Sequence, residues 1–245
     1  MRIHVIGAHG KVALRGLPLL AAAGHEVVGV IRNPDHAGEI EKTGAEPHVV
    51  DIERLDGDGW KALLADTDLV VWSAGAGGGD PERTKSVDEV AAIASMDATP
   101  RDAGYVMVSY WGARRDHGVP ADNPFVHYAD AKAAADEHLR GSGLRHVILK
   151  PGALTLEPAG NVYVGDDSAD VPEGVEGTTS RATVAAMIAH VVGRFDELVG
   201  DGPFTLRRRC GRRRTRRPRR GRWPSRGRRR RRAVPRRRRR RPRPG

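Results

Sequence analysis

Short apolar runs alternate along the chain with stretches in which apolar side chains recur at helical spacing. The runs are four or five residues long and predict buried β-strands at 3–6, 27–31, 47–50, 68–72, 105–108 and 146–149. The intervening stretches predict helices at 11–23, 34–43, 60–65, 81–96 and 128–141. Strands that are apolar enough to be covered on both faces, alternating with helices, predict an α/β fold with a doubly wound, mostly parallel sheet.

The pattern becomes irregular after the sixth predicted strand. The stretch 160–177 is rich in Gly, Asp and Glu and is interpreted as a loop or a small lobe. Ser180 is typical of a helix N-cap and precedes an apolar segment at 184–192, and 203–206 is expected to begin a last strand. We therefore predict one globular domain at 1–206, followed by a segment of different composition.

Net charge divides the chain into two parts. The 245-residue chain has a formal charge of +11, but residues 207–245 hold 24 arginines and no acidic residue, whereas residues 1–206 hold 18 basic and 31 acidic residues. The net negative charge of residues 1–206 does not favour binding to nucleic acid or to anionic lipid. The arginine-rich tail at 207–245 has too few apolar residues to bury a core, and we expect it to be disordered.

Two explanations of the tail are open. A genuine tail would bind the phosphates of RNA or DNA, with an affinity that falls as salt rises. Alternatively, its abrupt start after Leu206 marks a shift of reading frame. When arginine codons of a GC-rich gene are read one base later, they encode small residues such as glycine. Arg207 to Cys210, written CGG-CGG-CGA-TGC, would then encode Gly-Gly-Asp-Ala. We favour the frameshift, which an uninterrupted frame in the resequenced gene and in close relatives would exclude.

Cysteine, histidine and the N-terminus bear on location and metals. Cys210 is the single cysteine, so the chain has no disulfide framework, and its ten histidines lack the spacing of metal ligands, so no metal site is predicted. No charged leader precedes the first strand, and no apolar run reaches the ~18 residues of a membrane span. We expect a cytoplasmic protein with no membrane partner.

A glycine-containing turn follows the first predicted strand and opens the first predicted helix. In the sequence VIGAHGKVALRG, which begins at Val5, small residues occupy positions 7, 10 and 13. Such a turn allows backbone N–H groups to approach a diphosphate, and the helix N-terminus behind it has partial positive charge. We expect dinucleotide phosphates to contact Gly7, His9, Gly10, Lys11 and Val12. The alternatives are a tight turn without a ligand and, for His9, a side chain that only faces solvent.

The ends of the next strands are expected to select the nucleotide. An acid after the second strand would bind the ribose 2′-hydroxyl of NAD, whereas a base tolerates the 2′-phosphate of NADP. Arg32 occupies that position, so NADP is preferred over NAD unless Arg32 is merely solvated. Asp51 would bind the adenine amino group unless it is a surface acid. Ser73, Ala74 and Gly75, in a glycine-rich segment, would leave the backbone open to the ligand unless the segment is only a flexible loop.

A tyrosine and a lysine begin the predicted helix at 128–141. Tyr128 and Lys132 are four residues apart and therefore lie on one face. A phenol with a pKa of about 10 exchanges protons poorly at neutral pH, and a nearby ammonium would lower that pKa. Ser109 ends the fifth strand, where it could hydrogen-bond a substrate carbonyl oxygen. These residues suit hydride transfer to or from a carbonyl, although Tyr-x-x-x-Lys alone also occurs on ordinary amphipathic helices.

The order of these motifs resembles the short-chain dehydrogenase/reductase family, and in detail its atypical NAD(P)H-binding branch. The segments VIGAHGKVA, RNP, VSY.GA, DNPF..YA.AK, AD..L..SGL and PG follow one another as in that branch, over about residues 1–206. The resemblance implies a Rossmann-like fold. It also implies Tyr128 as general acid/base, Lys132 as a ligand of the nicotinamide ribose, and Ser109 as the residue that orients the carbonyl.

The resemblance further implies that Pro151 and Gly152 lie beside the nicotinamide. The chain departs from the best-studied branch in three ways: Ala13 replaces the third glycine, the sequence Asn-Asn-Ala-Gly is absent, and Ser109 stands 19 residues before Tyr128. These departures bear on catalysis more than on cofactor binding.

Aromatic and polar residues near the predicted reacting centre are candidate walls of a substrate pocket. They are Tyr110, Trp111, Asn123, Phe125 and His127, and ordinary packing is the alternative for each. The leading hypothesis is an NADP-dependent oxidoreductase that acts on a small carbonyl, quinone or similar molecule. The alternatives are a non-catalytic NADPH-binding redox sensor and a nucleic-acid-binding protein that acts through its tail.

Overall fold

The computed structural model describes residues 1–77, 79–165, 173–200 and 204–208, with 207 and 208 described by backbone alone. The strands in these ranges are β1 (Arg2–Ile6), β2 (Glu26–Ile31), β3 (Glu46–Val49), β4 (Leu69–Trp72), β5 (Gly104–Val108), β6 (Arg145–Pro151), β7 (Ala153–Thr155), β8 (Val162–Gly165), β9 (Thr178–Ser180) and β10 (Phe204–Arg208). The helices are α1 (Ala13–Ala22), α2 (Ala37–Glu41), α3 (Gly57–Leu64), α4 (Pro81–Thr84), α5 (Ala92–Ala98), α6 (Val126–Gly141), α7 (Arg181–Gly193) and α8 (Phe195–Leu198).

Eight strands form one sheet in the order β3-β2-β1-β4-β5-β6-β10-β8, and β7 pairs with β9 in a second sheet. Pairing in the large sheet is parallel except between β10 and β8. The strand order reverses at β1, where Ile6 is in register with Val30 on one side and Trp72 on the other. In open α/β sheets a crevice forms at the carboxyl ends of the strands at such a reversal.

Apolar side chains cover both faces of the large sheet. On one face, Leu17 of α1 and Ile188 of α7 belong to a buried layer that includes Val5. On the other face, Trp60 of α3 and Trp72 of β4 are completely buried, with ring centroids 6.2 Å apart. Full burial of one Leu or Ile side chain stabilises a fold by ~1.5–3 kcal/mol. These two layers hold the helices in place and thereby fix the carboxyl edge of the sheet.

One long helical segment contains an irregular turn. The helix runs without a break from Pro81 to Ala98, through α4, a π-helical turn at Lys85–Ala91, and α5. Asp80 caps its N-terminus. Within the π-helical turn Asp88 is completely buried although it is an acid. Turns of this kind are frequent at functional sites.

The predicted doubly wound sheet is confirmed, and the six strands and five helices of the main pattern are present with ends displaced by at most three residues. The predicted cap on α7 is also present, because Ser180 accepts a hydrogen bond from the N–H of Thr183 at 3.1 Å. The pattern did not predict β7, β8, β9 or α8, which all follow the sixth predicted strand, where the regular alternation of strand and helix ends. β8 lies within the stretch 160–177, of which residues 166–172 are outside the described part.

The last strand continues into the first two residues of the predicted tail, so the expected disorder does not begin at 207. β10 runs to Arg208 and pairs with β8 at Arg207 and Arg208. Residues 209–245, and with them most of the predicted arginine-rich tail, lie outside the described residues. In the described part, no helix is long and apolar enough to cross a membrane.

Gly29 of β2 provides a test of the packing. A Cβ at this position would lie 2.7 Å from Ile40 Cγ2 and 3.1 Å from Ala8 Cβ. We expect Gly29→Ala to lower the free energy of unfolding by about 1–3 kcal/mol through overpacking. The control is Gly38→Ala on α2, where a Cβ meets nothing within 4 Å. That change should stabilise the fold by about 0.5–1 kcal/mol. Equal unfolding free energies for the two variants in urea would contradict this account.

Candidate active site

The glycine turn after β1 is held by its own backbone. Gly7 has φ +80°, and a Cβ there would lie 2.6 Å from Ala74 Cα, so only glycine fits. The N–H of Gly7 donates to Val30 O at 3.2 Å, and the N–H of Gly10 donates to Gly7 O at 2.9 Å. Both amides are therefore used in backbone hydrogen bonds, one to β2 and one within the turn. The two glycines allow close approach of the backbone, and their expected contact with a dinucleotide phosphate stays a prediction.

The next amides are different. Among the described residues, none of the hydrogen bonds uses the backbone N–H of His9, Lys11 or Val12. Val12 is the N-cap residue of the ten-residue helix α1, and no side chain caps that end. Unused N–H groups at a helix N-terminus favour an anion, because the helix dipole adds partial positive charge there. These donors are available to a diphosphate.

Two clefts meet at the glycine turn. The β2 cleft, of about 300 Å³, is lined by residues that include Gly7, His9, Arg32, Asp51, Glu53 and Arg83. The β5 cleft, of about 910 Å³, is lined by residues that include Lys11, Val12, Asp88, Ser109, Tyr128 and Lys132. Gly10, Ser73, Ala74 and Gly75 line both clefts. The turn after β1 and the segment after β4 thus form the boundary of one continuous crevice.

Charged side chains face one another in the β2 cleft. Arg32 Nη1 lies 3.1 Å from Glu53 Oε1, so Arg32 is paired rather than merely solvated. Asp51 accepts a hydrogen bond from the N–H of Glu53 and thereby holds the loop after β3. The ring of His9 stacks on His36 with centroids 3.5 Å apart. His9 Nε2 also lies 3.0 Å from Glu39 Oε2 on α2, so this side chain joins the turn to its neighbours instead of facing solvent alone.

Tyr128 and Lys132 line the β5 cleft from one face of α6. Lys132 Nζ lies 5.8 Å from the centroid of the Tyr128 ring and 3.0 Å from Asp88 Oδ1. Lys132 and Asp88 are 2% and 0% exposed, so this ion pair is buried. Asp88 Oδ2 also accepts the N–H of Ala76 at 2.9 Å, which ties the glycine-rich segment to the lysine.

Burial controls the protonation of these groups. Burial raises the pKa of Tyr128; Lys132 lowers it, whereas Asp88 and Asp136 raise it further, so the net pKa lies above the ordinary value. Burial lowers the pKa of Lys132, but the charges of Tyr128 and Asp88 outweigh that effect and raise it. The expected lowering of the phenol pKa by lysine is therefore offset. At neutral pH Tyr128 is a neutral phenol beside an ammonium.

Ser109 is committed to a second buried cluster. Its hydroxyl donates to Asp136 Oδ2 at 3.0 Å, and Lys150 Nζ lies 3.3 Å from the same oxygen. Lys150 also donates to Ala113 O at 2.7 Å. Burial raises the pKa of Asp136, while Lys150 and Ser109 lower it. Because a hydroxyl has one hydrogen, Ser109 offers lone pairs to the β5 cleft. The expected hydrogen bond from Ser109 to a substrate carbonyl oxygen stays a prediction.

The predicted aromatic wall is present in part. Tyr110, Phe125 and Tyr128 form a cluster with ring centroids 5.3–5.4 Å apart. Of the predicted wall residues, Asn123, Phe125 and His127 line the β5 cleft, and Tyr110 and Trp111 do not. Burial and the neighbouring Tyr128 raise the pKa of Tyr110 to about 12. Asn123 accepts the N–H of Phe125 at 2.9 Å and so also caps a turn.

Pro151 and Gly152 make backbone contacts with neighbouring segments. Pro151 ends β6, and its carbonyl accepts the N–H of Trp111 at 2.8 Å. The N–H of Gly152 donates to Leu206 O at 3.0 Å, and a Cβ there would lie 2.3 Å from Gly177 O. Neither residue lines either cleft.

Among the described residues, no group of three or more His, Cys, Asp or Glu side chains is placed to hold a metal ion.

Charged residues of the site that the sequence pattern did not reveal include Glu53, Arg83, Asp88 and Asp136. Asp136 continues the four-residue spacing of Tyr128 and Lys132 on α6, which is a usable signal. Asp88 stands among apolar positions of the predicted helix 81–96, where an acid is unusual. The remaining two leave no local signal, because their partners come from distant elements.

Removal of Lys150 tests the buried cluster. Lys150→Met leaves Asp136 without its ammonium, which we expect to cost about 3–5 kcal/mol of unfolding free energy. Loss of Lys150 raises the pKa of Asp136 further, so the folded variant holds a proton that the unfolded chain releases. Stability should therefore fall as pH rises, with a larger deficit at pH 8 than at pH 5 in urea unfolding.

Two controls accompany that variant. Lys61→Met breaks an exposed pair with Asp58 and should change stability little. Lys150→Met combined with Asp136→Asn removes both buried charges and should recover most of the loss. A single Lys150→Met variant as stable as the wild type at both pH values would contradict the assignment.

Comparison with known proteins identifies the family. A family model described as NAD(P)H-binding matches residues 7–194. The chain is 34% identical over 186 residues to the UPF0659 protein C216.03 of Schizosaccharomyces pombe, which covers 66% of this chain and 74% of that protein. It is 30% identical over 195 residues to the UPF0659 protein YMR090W of Saccharomyces cerevisiae, covering 77% and 85%.

A solved structure gives the same result. A proposed NAD-dependent epimerase/dehydratase from Bacillus halodurans superposes with a TM-score of 0.75 and 29% identity, over 86% of this chain and 95% of that one. Three features of the site suit a nicotinamide dinucleotide. Position 7 has no space for a Cβ, the N–H groups of Lys11 and Val12 are unused, and the β2 and β5 clefts are continuous. The chain belongs to the NAD(P)H-binding family and has a Rossmann-type fold, which is consistent with its resemblance to the atypical short-chain dehydrogenase/reductases.

Proposed function

We propose that the protein is an NADP-dependent oxidoreductase of the short-chain type that reduces a small carbonyl or quinone-like substrate. The observation that supports this most directly is the continuity of the two clefts at the glycine turn. A dinucleotide has two nucleoside halves joined by a diphosphate. The amides of Lys11 and Val12 would bind the diphosphate at the boundary, with the adenosine half in the β2 cleft and the nicotinamide half in the β5 cleft.

The protein side chains in the β5 cleft would transfer the proton that the reduced substrate takes up, and the bound nicotinamide would supply the hydride. Tyr128, held as a neutral phenol, would donate its proton to the substrate oxygen as negative charge develops there. Lys132, paired with Asp88, would stabilise the resulting phenolate and use a remaining N–H for the nicotinamide ribose. Ser109, which donates to Asp136, would accept a hydrogen bond from a donor in the β5 cleft.

The lining of the β5 cleft favours a small substrate with an aromatic or other planar part. Phe125 is 44% exposed and His127 is exposed beside it, which leaves ring surface for a planar molecule. Lys11 and Arg181 line the same cleft, so its cationic groups would tolerate a substrate with an acidic substituent. Arg32, at the other end of the crevice, supports NADP as the preferred cofactor.

Two other functions have specific support. A redox sensor that binds NADPH without turnover is favoured by the internal pairing of Lys132 with Asp88 and of Ser109 with Asp136, since both groups are satisfied without a substrate. An epimerase is suggested by the description of the Bacillus halodurans relative. An epimerase returns its hydride and consumes no net nicotinamide, so the stoichiometry of NADPH loss separates it from a reductase.

Tyr128→Phe tests the proposed reaction. In a screen of carbonyls and quinones, we expect the variant to oxidise NADPH at least about 100-fold more slowly, because it has lost the proton donor. Nicotinamide fluorescence should give an NADPH affinity within about twofold of the wild type. Tyr163→Phe on β8, outside both clefts, is the control and should retain activity. Nucleotide binding without any turnover that depends on Tyr128 would favour the sensor.

The pH profile tests the state of the phenol. Because burial raises the pKa of Tyr128 above its usual value, the reduction rate should be constant through neutral pH and fall only above pH ~10, where the donor ionises. Asp88→Asn removes a negative charge that raises this pKa, so the alkaline limb should move to lower pH. A limb that stays in place or moves upward in this variant would contradict Tyr128 as the titrating group.

A further inference from the structure

One wall of the β5 cleft is built where the two-stranded sheet meets α7. β7 pairs with β9, with Thr155 in register with Ser180, and α7 begins at the next residue, Arg181. Leu154 of β7 and Arg181 both line the cleft. Arg181 Nη1 donates to Leu154 O at 3.0 Å, which holds the guanidinium group against this strand. The wall therefore presents an apolar side chain next to a cation.

The charges that line the β5 cleft do not balance within it. Lys132 and Asp88 pair with each other, and Asp80 caps α4. Lys11 and Arg181 are the other charged residues of the lining, and no carboxylate of the described part of the chain forms an ion pair with either. The described lining thus has an excess of positive charge, which favours a ligand with an anionic group.

The two cations line the cleft from different elements. Lys11 belongs to the glycine turn, beside the N–H groups at which the diphosphate of a dinucleotide is expected. Arg181 is held on β7 by its bond to Leu154 O instead. A guanidinium group has five N–H donors, so this bond leaves others for a ligand. Arg181 is therefore placed to bind an anionic group of a second molecule in the cleft.

Apolar surface lies in the same cleft as this cation. Leu154 is 37% exposed and Phe125 is 44% exposed, and both line the cleft of about 910 Å³. Small-molecule sites are typically lined by apolar and aromatic side chains, with a few polar groups that fix the orientation of the ligand. This lining suits a molecule that has an apolar body and one anionic group.

We propose that Arg181 binds a carboxylate of the substrate, so that the protein acts on apolar carbonyl or quinone compounds that carry a carboxylate. The proposal rests on the proposed function, which places the reacting carbonyl in the β5 cleft. In the reaction, the carbonyl carbon gains the hydride of NADPH and its oxygen gains the proton of Tyr128, while the carboxylate is unchanged. Planar guanidinium groups match carboxylate geometry and form charge-assisted hydrogen bonds with it. Arg181 would thus determine specificity without taking part in proton transfer.

The probes are 4-carboxybenzaldehyde and 3-(4-formylphenyl)propanoate, each compared with its methyl ester. Acid and ester share the same aldehyde and differ in negative charge, and the two acids place the carboxylate at different distances from the aldehyde. Binding to the complex of the protein with NADPH is measured by nicotinamide fluorescence, and oxidation of NADPH is followed in parallel. At least one acid should bind the wild type about tenfold or more tightly than its ester.

Substitution of Arg181 should remove this preference. We expect Arg181→Gln to weaken binding of the acid by about tenfold or more, and to change binding of the ester and of NADPH less than about twofold. Arg181→Lys keeps the charge but not the planar fork of donors, and it should keep part of the preference. Arg194→Gln is the matched control, because Arg194 follows the other end of α7, is 51% exposed, pairs with Glu197 and does not line the cleft.

Three results would overturn the carboxylate site while leaving the proposed function in place. The first is equal binding of acids and esters to the wild type. The second is an Arg181→Gln variant that weakens acid and ester alike, which would mean that Arg181 only supports the wall at Leu154. The third is loss of NADPH affinity in that variant, which would assign Arg181 to the diphosphate. Preference for the acid that depends on Arg181, without oxidation of NADPH by any probe, would instead support the site and contradict the proposed reduction.

Discussion

The reversal of strand order at β1 is the constraint on which the rest of the site depends. Since β2 and β4 both run parallel to β1, on its opposite sides, the chain after each of these strands turns at the same edge of the sheet. The glycine turn and the segment that contains Ala74 approach so closely that Gly7 has no space for a side chain. This contact forms the boundary between the β2 and β5 clefts, and it leaves the N-terminus of α1 facing the boundary.

Buried charge is the second organising feature. Lys132, Asp88, Asp136 and Lys150 are each at most 2% exposed, and each would be costly to bury without a partner. Each of the two resulting ion pairs has one member on α6, Lys132 or Asp136, at the four-residue spacing that begins at Tyr128. Their negative members offset the influence of Lys132 on the phenol. A site that keeps its tyrosine protonated is suited to giving a proton, which agrees with reduction rather than oxidation as the proposed direction.

The sequence predicts where the site residues lie in the fold better than it predicts which of them hydrogen-bond or pair with one another. Strand ends and the four-residue spacing on α6 are local properties, so the placement of Arg32, Ser109, Tyr128 and Lys132 follows from the pattern alone. The bonding of Ser109 to Asp136 depends on how α6 packs against β5, and the hydrophobic pattern does not encode this contact. The same holds for Glu53 in the β2 cleft. In the glycine turn, spacing located the loop but could not reveal which N–H groups the turn itself uses.

A crystal structure of the protein with NADPH is the most direct test of the central claim, that one dinucleotide spans both clefts with its diphosphate at the N-terminus of α1. We expect diphosphate oxygens within hydrogen-bond distance of the N–H groups of Lys11 and Val12, and the nicotinamide ring in the β5 cleft beside Tyr128. A nucleotide bound elsewhere, or one whose diphosphate makes no contact with these amides, would contradict it.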